Sequence, residues 1–140
     1  MDTFTELKRF CDIAEDVATK RGLRICVTIV DAHGHHVLVH RMPGSPHLAL
    51  EMAERKAYTS VVMGCETNAL AAQIQPGQPL YSLTSSSHRL VAFGGGTRVE
   101  LGGDAFGVGI SGGTTQDDME MLRDARVAFG EGEWAPDSMA

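Results

Sequence analysis

Three cysteines in 140 residues, odd in number and widely spaced, are too few for a disulfide framework. Cys11, Cys26 and Cys65 sit in apolar runs and form no CxxC pair, which reads as three buried thiols in a reducing compartment. Aromatic residues make up only 6% of the chain, so aliphatics, Met and Ala must fill the interior. No stretch is apolar enough to span a bilayer. Met1-Asp2-Thr3-Phe4 opens without a basic-then-apolar leader, so a cytoplasmic location is expected. Positive charge is in deficit: 12 Lys and Arg stand against 18 Asp and Glu, a net charge of −6. That balance argues against nucleic acid or an anionic membrane surface as a partner. There is no internal repeat, and no composition shift marks a domain boundary.

Glycine is abundant, at 16 residues gathered mostly in the second half, which predicts tight turns and close backbone approaches there. Residues 1–129 read as one domain. The tail 130–140, with its lone Trp134, reads as flexible or docked on a neighbouring subunit.

Thr3-Phe4-Thr5-Glu6 fits a capping box, and Phe4, Leu7, Cys11, Ala14 and Val17 follow at helical spacing until Arg21-Gly22. Residues 23–31 and 36–42 read as a hairpin turning at Ala32-His33-Gly34. Ser45 as N-cap and Pro46 at the first helical position predict a second helix reaching about Met63. A short third helix is expected over 66–74 and strands over 89–93, 97–101 and 105–111. Ser85-Ser86-Ser87-His88 reads as a polar loop, and a last helix runs from Thr115 to Phe129. Antiparallel pairs with helices between them make an α+β protein.

Several segments carry a family resemblance. Val30-Asp31-Ala32-His33-Gly34-His35 with His40-Arg41-Met42-Pro43-Gly44, then Lys56-Ala57-Tyr58-Thr59, Gln75 to Tyr81, Phe93 to Gly96 and Gly107 to Thr114 with Asp118, resemble the GlcG/HbpS family in the right order. That family includes the C-terminal domain of PduO-type corrinoid adenosyltransferases. The resemblance spans residues 5–128. It implies a profilin-like fold with a five-stranded antiparallel sheet, a homo-oligomer (tetramer or octamer), and haem or a corrinoid as ligand in a catabolic setting. His35 and His40 match positions where the family often carries His, and so become the imidazole ligand candidates. Pro43, His33, His36 and His47 depart from the usual pattern.

Five of the six histidines fall between His33 and His47. His36 and His40 share a strand face at about 13 Å, too far to hold one ion whose nitrogens lie about 2 Å away. His33 and His35 flank the turn and could chelate a metal at the surface, but no Cys or carboxylate pattern completes a site, so no metal is expected. Lys56 falls in a stripe of small and apolar residues on its helix, so it either snorkels outward or points into a pocket as a base, nucleophile or anion anchor. Gly112, Gly113 and Thr114 precede a helix N-terminus, a place for a carboxylate or propionate. Asp117 and Asp118 either cap that dipole or, for Asp118, orient Lys56, Arg41 or a substrate proton. Arg41 is a carboxylate clamp or a surface salt bridge. Gly95, within its triple glycine, serves backbone geometry or a ligand packed against it. Three readings follow: an assembly or chaperone-like partner of a catabolic enzyme, a small-molecule-binding protein for haem or a corrinoid, or a cofactor-free lyase or isomerase. The lyase or isomerase would act on a small carboxylated intermediate through Lys56 and Asp118, with Arg41 and the Gly112 and Gly113 amides as anion anchors.

Overall fold

Amphipathic periodicity places the first helix, α1, at Thr3–Lys20, and the computed structural model, which describes residues 2–130, buries its Leu7, Phe10, Cys11, Ala14 and Ala18. Its cap is Asp2, one residue before the expected Thr3. Asp2 Oδ1 accepts the Thr5 N–H at 2.9 Å, and Phe4 at the first turn stays half exposed. A β-branched run then gives β1 (Cys26–Asp31), which pairs antiparallel with β2 (His36–Arg41). Helix α2 spans Ala49–Met63 and ends on Gly64 in the left-handed conformation. A 3-10 turn at Thr67–Leu70 and a single helical turn α3 (Leu83–Ser86) follow. Then come β3 (Gly96–Leu101), β4 (Asp104–Ser111) and α4 (Thr115–Phe129).

The sheet has four strands, in the order β2-β1-β4-β3 and antiparallel throughout. The fifth strand expected over 89–93 is absent, and the reason is local. Its backbone partner is a helix side chain: Thr59 Oγ1 of α2 accepts the Val91 N–H at 3.1 Å and donates to the Arg89 carbonyl at 3.3 Å. The expected third helix likewise shortens to the 3-10 turn, where Thr67 Oγ1 accepts the Gly96 N–H at 3.0 Å.

Helices cover both faces. Val27, Ile29, Val99, Val108 and Ile110 point into the main core against α1 and α4, where Phe10 and Phe129 meet edge to face. Cys26 and Val30 point the other way, against Ala49, Ala53 and Ala57 of α2. The second contact is unusually close, because β4 presents glycines to it. A Cβ at Gly107 or Gly109 would lie 2.2 Å from the Ala57 carbonyl or 2.0 Å from the Ala53 carbonyl. The three cysteines are buried and unpaired as expected, and burial with Glu15 and Asp12 nearby pushes the Cys11 thiol up to about 12. Among the described residues no helix is long and apolar enough to cross a membrane. The tail reading on Trp134 lies outside the described residues.

Candidate functional site

The site forms where the sheet stops being regular. Ile110 of β4 donates its N–H to the Gly95 carbonyl at 2.8 Å, but β3 begins only at Gly96. The Ile110 carbonyl therefore passes to a side chain: Lys56 Nζ of α2 donates to it at 3.0 Å. The same ammonium lies 2.8 Å from Asp118 Oδ2 of α4, so one buried ion pair joins the helices of the two opposite layers. Two of the three Lys56 donors thus have acceptors. Burial holds Lys56 below the usual lysine range against the pull of Asp118, and burial pushes Asp118 above the usual carboxylate range against Lys56 and the Gly113 and Gly112 amides.

Gly95 backs this pair. Its φ is +118°, and a Cβ there would lie 2.8 Å from the Ile110 oxygen and 3.0 Å from Lys56 Nζ. Of its two expected roles, backbone geometry is the one the contacts support.

In front of the pair is a hollow of about 230 Å³. Lys56, Asp118, Gly112 and Gly113 line it, and Leu48 and Phe93, both more than half exposed, form apolar walls. The position of α2 makes this hollow. The helix starts at Ala49, three residues later than Pro46, because Ser45 turns its hydroxyl to Cys26 Sγ (3.6 Å) instead of capping. Pro46-His47-Leu48 is left as a turn against the opening.

The amides expected to hold an external anion are already engaged. Asp118 Oδ1 accepts the Gly113 N–H at 2.9 Å. Thr114 caps α4: its hydroxyl accepts the Asp117 N–H at 3.1 Å and its N–H donates to Asp117 Oδ2 at 3.0 Å. The anion at this helix N-terminus is the protein's own carboxylate, and Asp118 both caps and positions Lys56.

Neither histidine candidate reaches the hollow. His35 sits in the hairpin turn at the opposite end of β1, exposed, its Nδ1 3.6 Å from Asp31 Oδ2. His40 faces α1 across the sheet, with Nδ1 2.7 Å from Glu15 Oε1. Asp12, Glu15 and His40 bring one ligand atom each within 4.8 Å of one another. His36 turns the other way, to Glu54 of α2 at 3.5 Å. The expectation that His36 and His40 share a face fails because the ladder slips between Ile29 and Val30, leaving Val37 as the extra residue on β2.

Arg41 and His47 lie beside the hollow. They line an adjoining cavity of about 410 Å³, and Pro46 lines both. Arg41 has no carboxylate within ion-pair distance among the described residues. His47, Leu48 and Phe93 are lining residues that the sequence does not mark as a site: His47 and Leu48 fall outside the motifs, and Phe93, though it opens a family motif, carries no polar group. The only signal was His47 as a departure from the usual residue.

Comparison with known proteins places this architecture. Residues 3–126 match the family described as HbpS-like, haem degrading protein HbpS-like, and the chain belongs to that family. It is 36% identical over 132 residues, 93% of its length, to the corrinoid adenosyltransferase PduO of Salmonella typhimurium, covering 39% of that protein. The chain thus spans about two fifths of the curated PduO relatives it matches. A crystal structure of a PduOC:haem complex superposes with a TM-score of 0.86 at 36% identity, covering 91% of this chain and 94% of that one. A crystal structure of HbpS superposes with a TM-score of 0.80 at 26% identity, covering 92% and 90%.

Proposed function

We propose that this protein binds a tetrapyrrole, haem or a corrinoid, across the hollow and its adjoining cavity. The observation that carries this reading is one concave surface combining three features. An apolar hollow is walled by Leu48 and Phe93, a guanidinium with no carboxylate partner among the described residues stands at Arg41, and an imidazole stands at His47, with Pro46 common to both cavities. These residues suit the group: exposed apolar walls take a macrocycle edge, Arg41 takes a propionate by a bidentate contact, and a single imidazole suffices as an axial ligand. When bound, haem iron would supply redox and ligand-binding chemistry, while the protein sets access and axial donor. The relatives support the reading, since the solved PduOC structure is a haem complex and the curated relative is a corrinoid enzyme.

The test is a haemin titration followed by the Soret band. A saturable shift at micromolar protein is expected, altered in position by His47→Ala and weakened by Arg41→Ala and Phe93→Asp. His35→Ala and His40→Ala should leave it unchanged. An unperturbed spectrum, or a shift indifferent to the first three substitutions, contradicts the proposal.

A second reading rests on the Lys56–Asp118 pair itself. Burial moves the two proton affinities toward each other, as an acid–base pair requires. As a cofactor-free lyase or isomerase acting on a small carboxylated intermediate, the protein would lose turnover in Lys56→Met/Asp118→Leu while keeping its fold.

A homo-oligomer, tetramer or octamer, in a cytoplasmic catabolic setting belongs to the same proposal. Val39, Val62 and Tyr81, all large and exposed, supply apolar surface for contacts between copies.

A further inference from the structure

We infer that the β1–β2 turn is a surface chelate for a borderline divalent cation such as Zn²⁺, Cu²⁺ or Ni²⁺, held by His33, His35 and Asp31 Oδ2. This inference is independent of the tetrapyrrole reading. Two imidazoles and a carboxylate are the donor set these ions favour. The turn mounts the three on one fixed backbone, from which side-chain rotation would converge them on an ion. Asp31 Oδ1 accepts the N–H groups of both His33 (2.9 Å) and His35 (3.0 Å). The main chain closes on itself, with Asp31 N–H to the His35 carbonyl at 2.8 Å and Gly34 N–H to the Asp31 carbonyl at 2.9 Å.

Tyr58 of α2 holds the turn down from below. A Cβ at Gly34 would lie 2.8 Å from the Tyr58 ring, and the Arg89 guanidinium stacks on that ring at 3.5 Å from its centroid. The chain can therefore pass this point only as glycine, and the two histidines are splayed on either side of it.

With Oδ1 committed to the backbone, Oδ2 remains for an ion, and it already stands 3.6 Å from His35 Nδ1. The His33 and His35 ring centroids are 6.3 Å apart. Two imidazoles on one ion, with metal–nitrogen bonds of about 2 Å, bring their centroids to roughly 5–6 Å. Rotation of two exposed side chains covers that difference without moving the backbone. The competing group at Asp12, Glu15 and His40 would have to give up the short His40–Glu15 bond to admit an ion, whereas the turn gives up nothing as short.

The experiment is calorimetric titration of Zn²⁺ into untagged full-length protein, with Ni²⁺ broadening of histidine ring signals as a second readout. One ion per chain is expected, with Kd raised about tenfold or more by His33→Ala or His35→Ala. Binding should vanish in the double variant, stay intact in His40→Ala, and broaden the rings of residues 33 and 35 first. No binding by the unaltered protein, unchanged binding by His33→Ala/His35→Ala, or loss of binding in His40→Ala would each overturn it.

Discussion

Lys56 of α2 and Asp118 of α4 meet at 2.8 Å across the end of the sheet, each about 3% exposed. The two helices lie on opposite faces of the sheet, so this contact ties the two helical layers together directly, past the strands packed between them. It also discharges two local obligations. The Ile110 carbonyl of β4 gains a donor, and the opening of α4 gains a carboxylate.

Breaking the pair on one side leaves an uncompensated buried charge. Lys56→Met and Asp118→Leu should each cost about 3–5 kcal/mol, and the double variant should recover much of that loss. Urea denaturation of all four proteins as a double-mutant cycle measures the coupling. Additive losses would show that the two charges are separately solvated.

Gly95→Ala places a methyl group against Lys56 Nζ and the Ile110 oxygen, at a φ that side chains rarely adopt. The expected cost is at least about 1–3 kcal/mol, with a displaced Lys56. Thermal denaturation checks the stability, and a change of tetrapyrrole affinity checks the displacement. An unaltered melting temperature would remove Gly95 from the site.

Acid stability should depend on two partly exposed carboxylates that accept backbone N–H groups, Asp31 and Asp117. The His35 and His33 amides hold Asp31 below its ordinary 3.8, and the Thr114 amide with its hydroxyl does the same for Asp117. The unfolded chain then takes up the proton more readily, so each contribution is whole above about pH 4 and disappears as pH falls through the folded value. Asp118 works with the opposite sign, because burial makes its folded form the better proton acceptor. Between pH 4 and 2 the melting temperature of Asp31→Asn/Asp117→Asn should fall less steeply than that of the unaltered protein. Parallel curves would contradict the assignment.

Element type was legible in the sequence wherever periodicity was strong: α1, the hairpin, α4 and the β3–β4 pair all lie close to their expected spans. Two failures turn on which polar side chain takes up a backbone N–H. Thr59 satisfies the segment 89–93 in place of a neighbouring strand, and Asp2 caps α1 in place of Thr3. Composition does not reveal such substitutions, because they depend on which residues meet across tens of positions.

For the site, Lys56 was visible as a cation in an apolar stripe, and Asp118 as its partner was one of two open readings. The histidines misled. His40 is drawn to Glu15 on the wrong face, and the bulge at Val37 reverses the alternation that placed it beside His36. The late start of α2, which opens the hollow, was hidden behind a good capping sequence at Ser45-Pro46.

The account stands on the hollow beneath Leu48 and Phe93 being the place where a tetrapyrrole enters. Backbone amide spectra recorded while a diamagnetic zinc porphyrin is added, with the turn histidines changed to alanine, measure this most directly. Shifts at Leu48, Ala49, Phe93 and Thr115, with Asp12, Glu15 and His40 silent, are the expected result. Shifts centred on α1 and β2, with residues 47–49 and 93 unmoved, would contradict it.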